Sequence, residues 1–218
     1  MRDKLKLFAQ LFEGEFHFDD LHKSLYATDA SVYRKLPLAV AFPKSKDAIK
    51  QLIHFAADNN TSLIPRTAGT SLAGQCVGEG IVVDVSRHFT KIISIDTANK
   101  TVTVQPGVIR DQLNTQLKPL GLFFGPNTST SNRCMIGGMV GNNSSGTTSI
   151  QYGVTRDKVL SLQTLLSNGD EVVFDQLTKS EFIEKTKLDS LEGTIYKTLH
   201  TKLSSKDTEW GNGQRLQL

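Results

Sequence analysis

The chain reads Pro65-Arg66-Thr67-Ala68-Gly69-Thr70-Ser71-Leu72-Ala73-Gly74 directly after a short apolar run, Ser62 to Ile64. Glycine permits tight turns in which successive backbone N–H groups point to one place, and such a group of donors binds anions. The hydroxyl groups of Thr70 and Ser71 can add further donors. The stretch lacks the Lys-Ser/Thr pair of a Walker loop and the Gly-x-Gly-x-x-Gly pattern of a dinucleotide loop. It therefore predicts a phosphate or pyrophosphate cradle of a third kind.

The length and composition indicate a globular protein. A chain of 218 residues predicts one domain with two subdomains, or two small domains. Apolar residues make up 38% of the chain, and no run of about 18 of them occurs, so we predict no transmembrane helix. The N-terminus lacks the apolar core of a signal peptide. We expect a cytoplasmic location, with peripheral membrane association of a longer enzyme left open. The net charge of +3 is spread along the chain and does not favour nucleic acid as a partner.

The cysteines and histidines show no spacing typical of a metal site. Two cysteines, Cys76 and Cys134, predict small buried or half-buried thiols in a reducing compartment rather than a disulfide framework. The five histidines are scattered, and we find none beside a cysteine or a carboxylate at ligand spacing. We therefore predict no metal-binding residue.

The first part of the chain predicts alternating helices and strands. Residues 13–36 show no regular pattern. Strand, helix and strand in succession form a parallel βαβ unit. The predicted elements are a helix over residues 4–12, a strand over Ala39 to Phe42, a helix capped by Ser45 that ends at Asn59-Asn60, and a strand over Ser62 to Ile64.

The rest of the chain predicts antiparallel pairs and two further helices, which together with the βαβ unit place the protein in the α+β class. Asn168-Gly169 is typical of a type I′ hairpin turn. Trp210 stands alone in a polar tail, and an exposed position without a function is at least as compatible with the sequence as a functional role. The predicted elements are a buried strand over Ile81 to Val85, a hairpin of Lys91 to Ile95 with Thr101 to Val104, a helix with Ile109, Leu113 and Leu117 on one face, a hairpin of Val159 to Leu166 with Glu171 to Phe174, and a helix with Leu191, Ile195 and Leu199 on one face.

We divide the sequence into three parts. Residues 1–36 form an N-terminal helical and irregular segment, and residues 179–218 form a C-terminal helical segment. Between them, residues 37–178 form one domain. Its first subdomain, about 37–105, contains the βαβ unit, and its second, about 121–178, contains an antiparallel sheet.

Two further segments carry glycine, hydroxyl and amide groups. Gly125 to Ser131 offers hydroxyls and backbone amides beside a proline, which fixes the chain direction. Ile136 to Gly146 contains closely placed glycines, which let the main chain approach a flat ring or a phosphate. Each segment alone is compatible with an ordinary glycine-rich turn. Together with the first loop, they favour one extended ligand with a diphosphate and a planar ring system.

The order of these motifs resembles the FAD-binding domain of the PCMH-type, or vanillyl-alcohol oxidase, flavoprotein superfamily. The chain is most similar to FAD-linked D-lactate, glycolate and D-2-hydroxyglutarate dehydrogenases, and above all to large bacterial enzymes that join this domain to a C-terminal iron–sulfur domain. The resemblance implies a two-subdomain FAD-binding fold and oxidation of a 2-hydroxy acid to a 2-oxo acid by hydride transfer to FAD. It rests on Pro65 to Gly74, Val104 to Gly107, Gly125 to Ser131, Ile136 to Asn142 and Tyr152 to Asp157, within about residues 25–200.

The resemblance also implies a role for each motif. The first loop would hold the pyrophosphate through backbone amides, the middle segments would follow the flavin, and the last would close the far end. Arg66 is equally compatible with a surface ion pair. The implied cofactor-binding residues are Arg66, Thr67, Ala68, Gly69, Thr70, Ser71, Leu72, Gly74, Gln75, Pro106, Gly107, Gly125, Pro126, Thr130, Ser131, Ile136, Gly137, Gly138, Gly141, Asn142, Ser144, Gly146, Tyr152, Gly153 and Val154.

The mode of cofactor attachment follows from the same resemblance. Members of the superfamily that attach FAD covalently use a histidine in the first loop, and doubly attached members add a cysteine near the third glycine-rich motif. Residues 66–74 contain no histidine. We therefore expect non-covalent FAD and an unattached thiol at Cys134.

No residue of the sequence is assigned to catalysis. In the resembled enzymes the groups that bind the hydroxy acid belong to a domain C-terminal to the flavin domain, and this sequence carries neither a histidine cluster nor a cysteine-rich iron–sulfur motif. We expect the cofactor module of a larger enzyme, not catalytically competent by itself, with any iron–sulfur cluster outside this chain. An apolar face would favour self-association. Two alternatives stay open: a non-redox nucleotide-binding module, and a chain that folds but binds nothing by itself.

Overall fold

The computed structural model describes residues 1–206, of which Ser205 and Lys206 are described by their backbone alone. These residues form two compact units, one of Met1–Val159 and one that begins at Leu160. Trp210, for which the sequence left an exposed position and a functional role open, lies outside the described residues. The predicted domain boundaries after residues 36 and 178 stay predictions.

A four-stranded sheet forms the centre of the first unit. Its strands are β1 (Gly14–His17), β2 (Ala39–Pro43), β3 (Leu63–Arg66) and β4 (Ile81–Asp84), in the spatial order β1-β2-β4-β3. β4 runs parallel to both of its neighbours, and β1 runs antiparallel to β2. Every residue of β2 and β4 is buried, which is why these central strands are mostly apolar.

The predicted βαβ unit is confirmed in direction but not in pairing. β2, α3 (Lys46–Asp58) and β3 follow one another along the chain, and both strands run parallel to β4. β4 lies between them, so β3 pairs with β4 and not with β2. The hydroxyl of Ser45 caps α3 as predicted, since it accepts the N–H of Ala48 at 3.1 Å.

Residues 13–36, which we predicted to be irregular, contain β1 and α2 (Asp20–Leu25). β1 is short and half-buried, so its residues carry no clear strand pattern, and its structure comes from pairing with β2. α2 begins after Asp19, whose carboxylate accepts the N–H of His22 at 3.0 Å. The helix before them, α1 (Arg2–Leu11), is the one that the sequence predicted.

The core of the first unit lies on this sheet. Leu52 of α3 and Ile81 of β4 have no exposed surface and pack with Phe12 in one cluster. The rings of Phe8 and Phe16 pack against it edge to face, with centroids 5.1 Å apart. Full burial of a side chain of this size contributes about 1.5–3 kcal/mol.

A two-stranded sheet and a helix follow in the same unit. β5 (Ile92–Asp96) and β6 (Thr101–Val104) form the predicted antiparallel hairpin. α4 (Arg110–Leu117) buries Leu113 and Leu117, as the spacing of its apolar residues predicted. The later elements of the unit are a 3₁₀ turn at Lys118–Leu120, α5 (Ile136–Asn142), α6 (Ser149–Tyr152) and a 3₁₀ turn at Thr155–Lys158.

The described part of the second unit contains the predicted hairpin and two helices, of which the sequence predicted the second, with Leu191, Ile195 and Leu199, as a separate element. The elements are β7 (Ser161–Leu165), β8 (Glu171–Asp175), α7 (Lys179–Lys185) and α8 (Leu191–Lys206). The α+β class is confirmed. None of the helices within residues 1–206 combines the length and the apolar character needed to cross a bilayer.

The turn of the β7–β8 hairpin is not of type I′, contrary to our prediction. A type I′ turn needs a positive φ at both central residues, but Gly169 has a φ of 88° and Asn168 does not lie in that region. The N–H of Gly169 donates to the carbonyl of Leu166 at 2.9 Å, and the N–H of Leu166 donates to the carbonyl of Asp170 at 2.9 Å. The loop thus has three residues, Ser167 to Gly169, and its glycine forms a bulge.

Candidate functional site

The loop between β3 and β4 carries a row of unused backbone donors. Within residues 1–206, the N–H groups of Thr67 to Leu72 donate no hydrogen bond. Gly69 and Gly74 adopt left-handed φ values of 64° and 71°, which only glycine adopts without strain. Thr67 to Ser71 are half-buried and Leu72 is exposed, and successive backbone donors without a partner among the described residues form a site that an anion can occupy.

The guanidinium group of Arg66 packs against Gly69 of this loop. Its Nη1 donates to the carbonyl of Thr28 at 2.7 Å, and its guanidinium carbon lies 5.0 Å from the ring centroid of Tyr26. A side chain at Gly69 would collide with the guanidinium group. These contacts give Arg66 a structural role. Its direct contact with a cofactor stays a prediction.

Asp84, the last residue of β4, carries a buried carboxylate. The hydroxyl of Tyr26 donates to Oδ2 of Asp84 at 2.6 Å, and the N–H of Ser86 donates to Oδ1 of the same residue at 2.7 Å. Burial, together with the hydrogen bond to Asp84, raises the pKa of Tyr26 well above its ordinary value. This pair was not predicted from the sequence. The available signal was an aspartate at the end of an otherwise apolar strand.

Ser71 organises the loop internally. Its hydroxyl donates to Oε1 of Gln75 at 2.7 Å and accepts the N–H groups of Ala73 at 3.2 Å and of Gln75 at 3.3 Å. Nε2 of Gln75 in turn donates to Oδ1 of Asn142 at 2.7 Å. This hydrogen bond joins the first predicted motif to the third, which is 67 residues further along the chain.

The paired glycines at the start of α5 allow close packing. A Cβ at Gly138 would lie 2.6 Å from Oγ1 of Thr67, and a Cβ at Gly137 would collide with the ring of Pro106. The N–H of Gly137 donates to the carbonyl of Pro106 at 2.8 Å. Gly141 differs from both, because a Cβ there would meet no heavy atom of the described residues within 4 Å outside its own helix. Its position leaves room for a ligand beside the main chain.

The second predicted motif packs against the chain that follows α5. Oγ1 of Thr148 donates to the carbonyl of Gly125 at 2.8 Å, and a Cβ at Gly125 would lie 2.7 Å from Cβ of Tyr152. A Cβ at Gly146 would overlap the carbonyl of Asn127. The side-chain oxygen of Asn127 is buried and has no hydrogen-bond partner within the described chain. It is therefore a candidate acceptor for a ligand.

Two residues of the second motif have internal partners. Oγ of Ser131 donates to Oδ2 of Asp111 at 2.9 Å, and Oγ1 of Thr130 lies 3.3 Å from Oγ1 of Thr128. Arg110 also contacts Asp111, at 2.8 Å. The Arg110 guanidinium, followed by the hydroxyl of Ser131, holds the pKa of Asp111 below its ordinary value. These contacts hold the motif against the start of α4.

The last motif, Tyr152 to Asp157, contacts the segment that follows α5. Gly153 has a left-handed φ of 77°, and the N–H of Val154 donates to Oδ2 of Asp157 at 2.8 Å. Thr155 is fully buried, and its hydroxyl donates to the carbonyl of Ser144 at 2.6 Å. The last motif is thereby tied to the segment that follows α5. All the predicted site residues lie in the first unit, and the structure brings the first loop, α5 and the two flanking motifs into contact through the bonds described above.

Both cysteines are free and buried, as predicted. The thiol of Cys134 has Oγ1 of Thr128 at 3.2 Å and the sulfur of Met139 at 3.6 Å. Burial raises the pKa of the Cys76 thiol. Neither residue has the exposed position typical of a reactive cysteine.

One group of possible metal ligands was missed. The sequence predicted no histidine beside a carboxylate at ligand spacing, but His17, Asp19 and His22 lie together, with Nδ1 of His22 only 2.8 Å from Oδ2 of Asp19. The signal in the sequence was the spacing of the three residues around the start of α2.

Comparison with known proteins identifies the family of this chain. Residues 37–175 match the model of a family described as FAD binding domain. The chain is 40% identical over 187 residues to D-2-hydroxyglutarate dehydrogenase of Haemophilus influenzae, covering 84% of this chain and 18% of that protein. It is 42% identical over 164 residues to the Pseudomonas putida enzyme of the same name, covering 74% and 16%. It is 37% identical over 161 residues to the glycolate oxidase subunit GlcD of Bacillus subtilis, covering 72% and 34%.

Solved structures share the fold at low sequence identity. The Physcomitrella patens BBE-like 1 variant D396N gives a TM-score of 0.69 at 21% identity, covering 84% of this chain and 40% of that chain. The 6-hydroxy-D-nicotine oxidase of Arthrobacter nicotinovorans gives 0.67 at 23% identity, covering 78% and 38%. The chain spans less than a fifth of the length of these D-2-hydroxyglutarate dehydrogenases. The resemblance that the motifs indicated is confirmed, and the chain belongs to the FAD binding domain family of PCMH-type flavoproteins.

Proposed function

We propose that this chain is the FAD-binding module of an oxidoreductase that oxidises a 2-hydroxy acid to the corresponding 2-oxo acid. The observation that carries the cofactor assignment is the run of unused N–H groups from Thr67 to Leu72, joined to α5 through Gln75 and Asn142. The substrate class is supported by the relatives, which are named as D-2-hydroxyglutarate dehydrogenases and a subunit of glycolate oxidase.

The donor set fits a diphosphate. Backbone N–H groups attract negative charge without a lysine, and the left-handed Gly69 lets several of them lie on one side of the loop. The unpaired amide oxygen of Asn127 is an acceptor and so suits an N–H or O–H group of the ligand rather than its phosphates. The open space at Gly141 suits a flat ring placed against the main chain. When bound, FAD supplies the hydride acceptor that oxidation of a hydroxy acid requires.

The proposal includes non-covalent attachment of FAD. Residues 66–74 contain no histidine, and the thiol of Cys134 is buried against Thr128 and Met139. Neither arrangement offers an accessible nucleophile to the flavin ring. After precipitation of the holoprotein with acid, we expect all of the flavin in the supernatant. Flavin that stays with the precipitated chain would contradict this part of the proposal.

The hydride leaves the α-carbon of the substrate, and we assign no described residue to accepting the hydroxyl proton. Binding of the hydroxy acid, any iron–sulfur cluster and the electron acceptor belong to the activity of a longer protein. A cytoplasmic location and self-association through exposed apolar side chains stay predictions from the sequence.

A spectrum of the purified chain tests the cofactor assignment. We expect a flavin absorbance band at roughly 450 nm, together with a rise in melting temperature on addition of FAD that exceeds the rise produced by ADP. A colourless protein that is stabilised equally by ADP and FAD would favour a non-redox nucleotide-binding module. A protein indifferent to both would overturn the assignment.

Gly69→Ala provides a sharper test, with Gly121→Ala as its matched control. Both glycines have a left-handed φ, of 64° and 68°, so alanine introduces comparable backbone strain at each. A Cβ at Gly69 would also collide with Arg66, whereas a Cβ at Gly121 meets nothing within 4 Å. We expect FAD retention to fall at least tenfold in G69A and to stay unchanged in G121A.

The substrate class needs its own experiment. The protein encoded by the complete gene is loaded with FAD and mixed without oxygen with D-2-hydroxyglutarate, D-lactate or glycolate. Bleaching of the flavin band by one of these acids is expected. If none bleaches the flavin while dithionite does, the cofactor assignment stands and the substrate class is wrong.

A further inference from the structure

His17, Asp19 and His22 form a compact group at the end of β1 and the start of α2. One ligand atom from each residue lies within 4.8 Å of the other two. Nδ1 of His22 is 2.8 Å from Oδ2 of Asp19, and Nδ1 of His17 is 4.0 Å from the same oxygen. The two imidazole rings are stacked, with centroids 3.7 Å apart and planes 4° apart. These residues take no part in the predicted cofactor site.

The distances suit a small transition-metal ion. Metal–nitrogen and metal–oxygen bonds of roughly 2.0–2.2 Å with tetrahedral angles place ligand atoms about 3.4 Å apart. The two distances to Oδ2 of Asp19 lie on either side of that value. A bound ion lies near the plane of each imidazole, so the rings must tilt from parallel when it binds. Side-chain rotations of this size are fast at a partly exposed site.

A second carboxylate is placed to orient His17. Nε2 of His17 is buried and has no hydrogen-bond partner within the described chain, and Oε2 of Glu15 is 3.7 Å away. Metal-binding histidines generally donate their second ring N–H to a carboxylate, which fixes the nitrogen that faces the metal. Glu15 itself is held by Arg87, whose Nη1 donates to Oε2 at 2.7 Å. The second ring nitrogen of His17 thus faces a fixed acceptor, as in known metal sites.

We propose that Nδ1 of His17, Oδ2 of Asp19 and Nδ1 of His22 bind one divalent transition-metal ion of the Zn²⁺ class, with Glu15 as the positioning residue. Two imidazoles and one carboxylate form a donor set typical of zinc and related ions, whereas Mg²⁺ and Ca²⁺ prefer oxygen ligands. Water completes the coordination. The ion joins β1 to α2 and so stabilises the folded chain.

Titration of the chelator-treated, tag-free protein with ZnCl₂ tests the site. By calorimetry we expect about one Zn²⁺ bound per chain and a rise in melting temperature, with no such rise on addition of MgCl₂. In His22→Gln and Asp19→Asn, we expect the affinity for Zn²⁺ to fall at least tenfold. His54→Gln is the matched control, because His54 is exposed on α3 and far from this group in sequence. Its affinity should equal that of the wild type.

A second measurement needs no variant and therefore does not depend on how a variant folds. Diethylpyrocarbonate modifies accessible imidazoles, and mass spectrometry locates the modified residues. One equivalent of Zn²⁺ should slow the modification of His17 and His22 at least fivefold and leave that of His54 unchanged. Equal protection of all three histidines, or Zn²⁺ affinity that is the same in wild type and His22→Gln, would show adventitious surface binding only and overturn the proposal.

Discussion

Single glycines limit the site for two different physical reasons. At Gly138 the constraint lies within the protein, because a Cβ would lie 2.6 Å from Oγ1 of Thr67. At Gly141 the protein imposes no constraint, because the space beside it is open. The pair therefore distinguishes a glycine that is needed for packing from one that leaves room for a cofactor.

Gly138→Val should lower both stability and FAD affinity, whereas Gly141→Ala should lower FAD affinity alone. In the apoprotein, alanine in place of a helical glycine stabilises by up to about 1 kcal/mol. We expect G141A to keep or raise the apoprotein melting temperature while its affinity for FAD falls at least tenfold. Thermal denaturation and FAD titration measure both quantities. Unchanged FAD affinity in G141A would show that the cofactor does not use this space.

The hydroxyl of Tyr26 contributes to the stability of the folded chain. Tyr26→Phe removes the 2.6 Å hydrogen bond to the buried carboxylate of Asp84. Leaving a buried acceptor short of a partner costs roughly 1–3 kcal/mol, which urea denaturation can measure. Tyr33→Phe is the control, because the hydroxyl of Tyr33 makes no hydrogen bond within residues 1–206. Equal free energies of unfolding for Y26F and Y33F would show that the buried pair contributes nothing.

Asp111 gives the stability of the first unit a pH dependence. Arg110 lowers the pKa of Asp111 in the folded state, so its contribution is present above the unfolded pKa and is lost as the pH falls through the folded value. Asp111→Asn should therefore flatten the loss of stability below about pH 4, with a small amplitude because the carboxylate is partly exposed. Urea midpoints between pH 7 and pH 3 measure this. Asp58→Asn controls for the loss of one negative charge. If this variant flattened the pH dependence of stability equally, Arg110 would have no specific effect on Asp111.

At the scale of elements, one side-chain bond joins the first loop to α5. Gln75→Ala breaks the hydrogen bond to Asn142. We expect the free energy of unfolding to fall by about 0.5–1.5 kcal/mol. The free energy of FAD binding should fall by more, because the loop is no longer fixed. A double-mutant cycle with Asn142→Ala tests the link. Strictly additive effects on FAD affinity would mean that the two residues act separately.

The sequence predicted elements whose signals are local. α3 was predictable from the cap at Ser45 and the spacing of Leu52 and Ala56, and β4 from its buried apolar run. The position of β4 between β2 and β3 was not predictable, since strand order depends on contacts between residues far apart in sequence. β1 was missed for the same reason, because only pairing with β2 makes it a strand.

The residues of the site were likewise predictable only where their signal is local. The glycine-rich loop was visible because Gly69 and Gly74 need a left-handed backbone, and a local pattern reports this requirement. The supporting contacts of Arg66 with Thr28 and of Tyr26 with Asp84 were not visible, because they join segments that only the folded sheet brings together. Ser71 was predicted as a ligand donor, but its hydroxyl is used within the loop, a choice that depends on the exact course of the backbone.

At the scale of the whole molecule, cofactor binding should order one unit selectively. Every proposed cofactor-binding residue lies within Met1–Val159, and the N–H groups of Thr67 to Leu72 have no partner in the described chain. Without cofactor these amides should therefore exchange hydrogen nearly as fast as an unfolded peptide. Addition of FAD should slow their exchange at least tenfold, whereas amides of α7 (Lys179–Lys185), in the other unit, should not change. Hydrogen exchange followed by mass spectrometry at peptide resolution measures both segments in one experiment. Equal protection of the two would indicate global stabilisation rather than direct capture of the diphosphate, and protection confined to α7 would place the cofactor elsewhere.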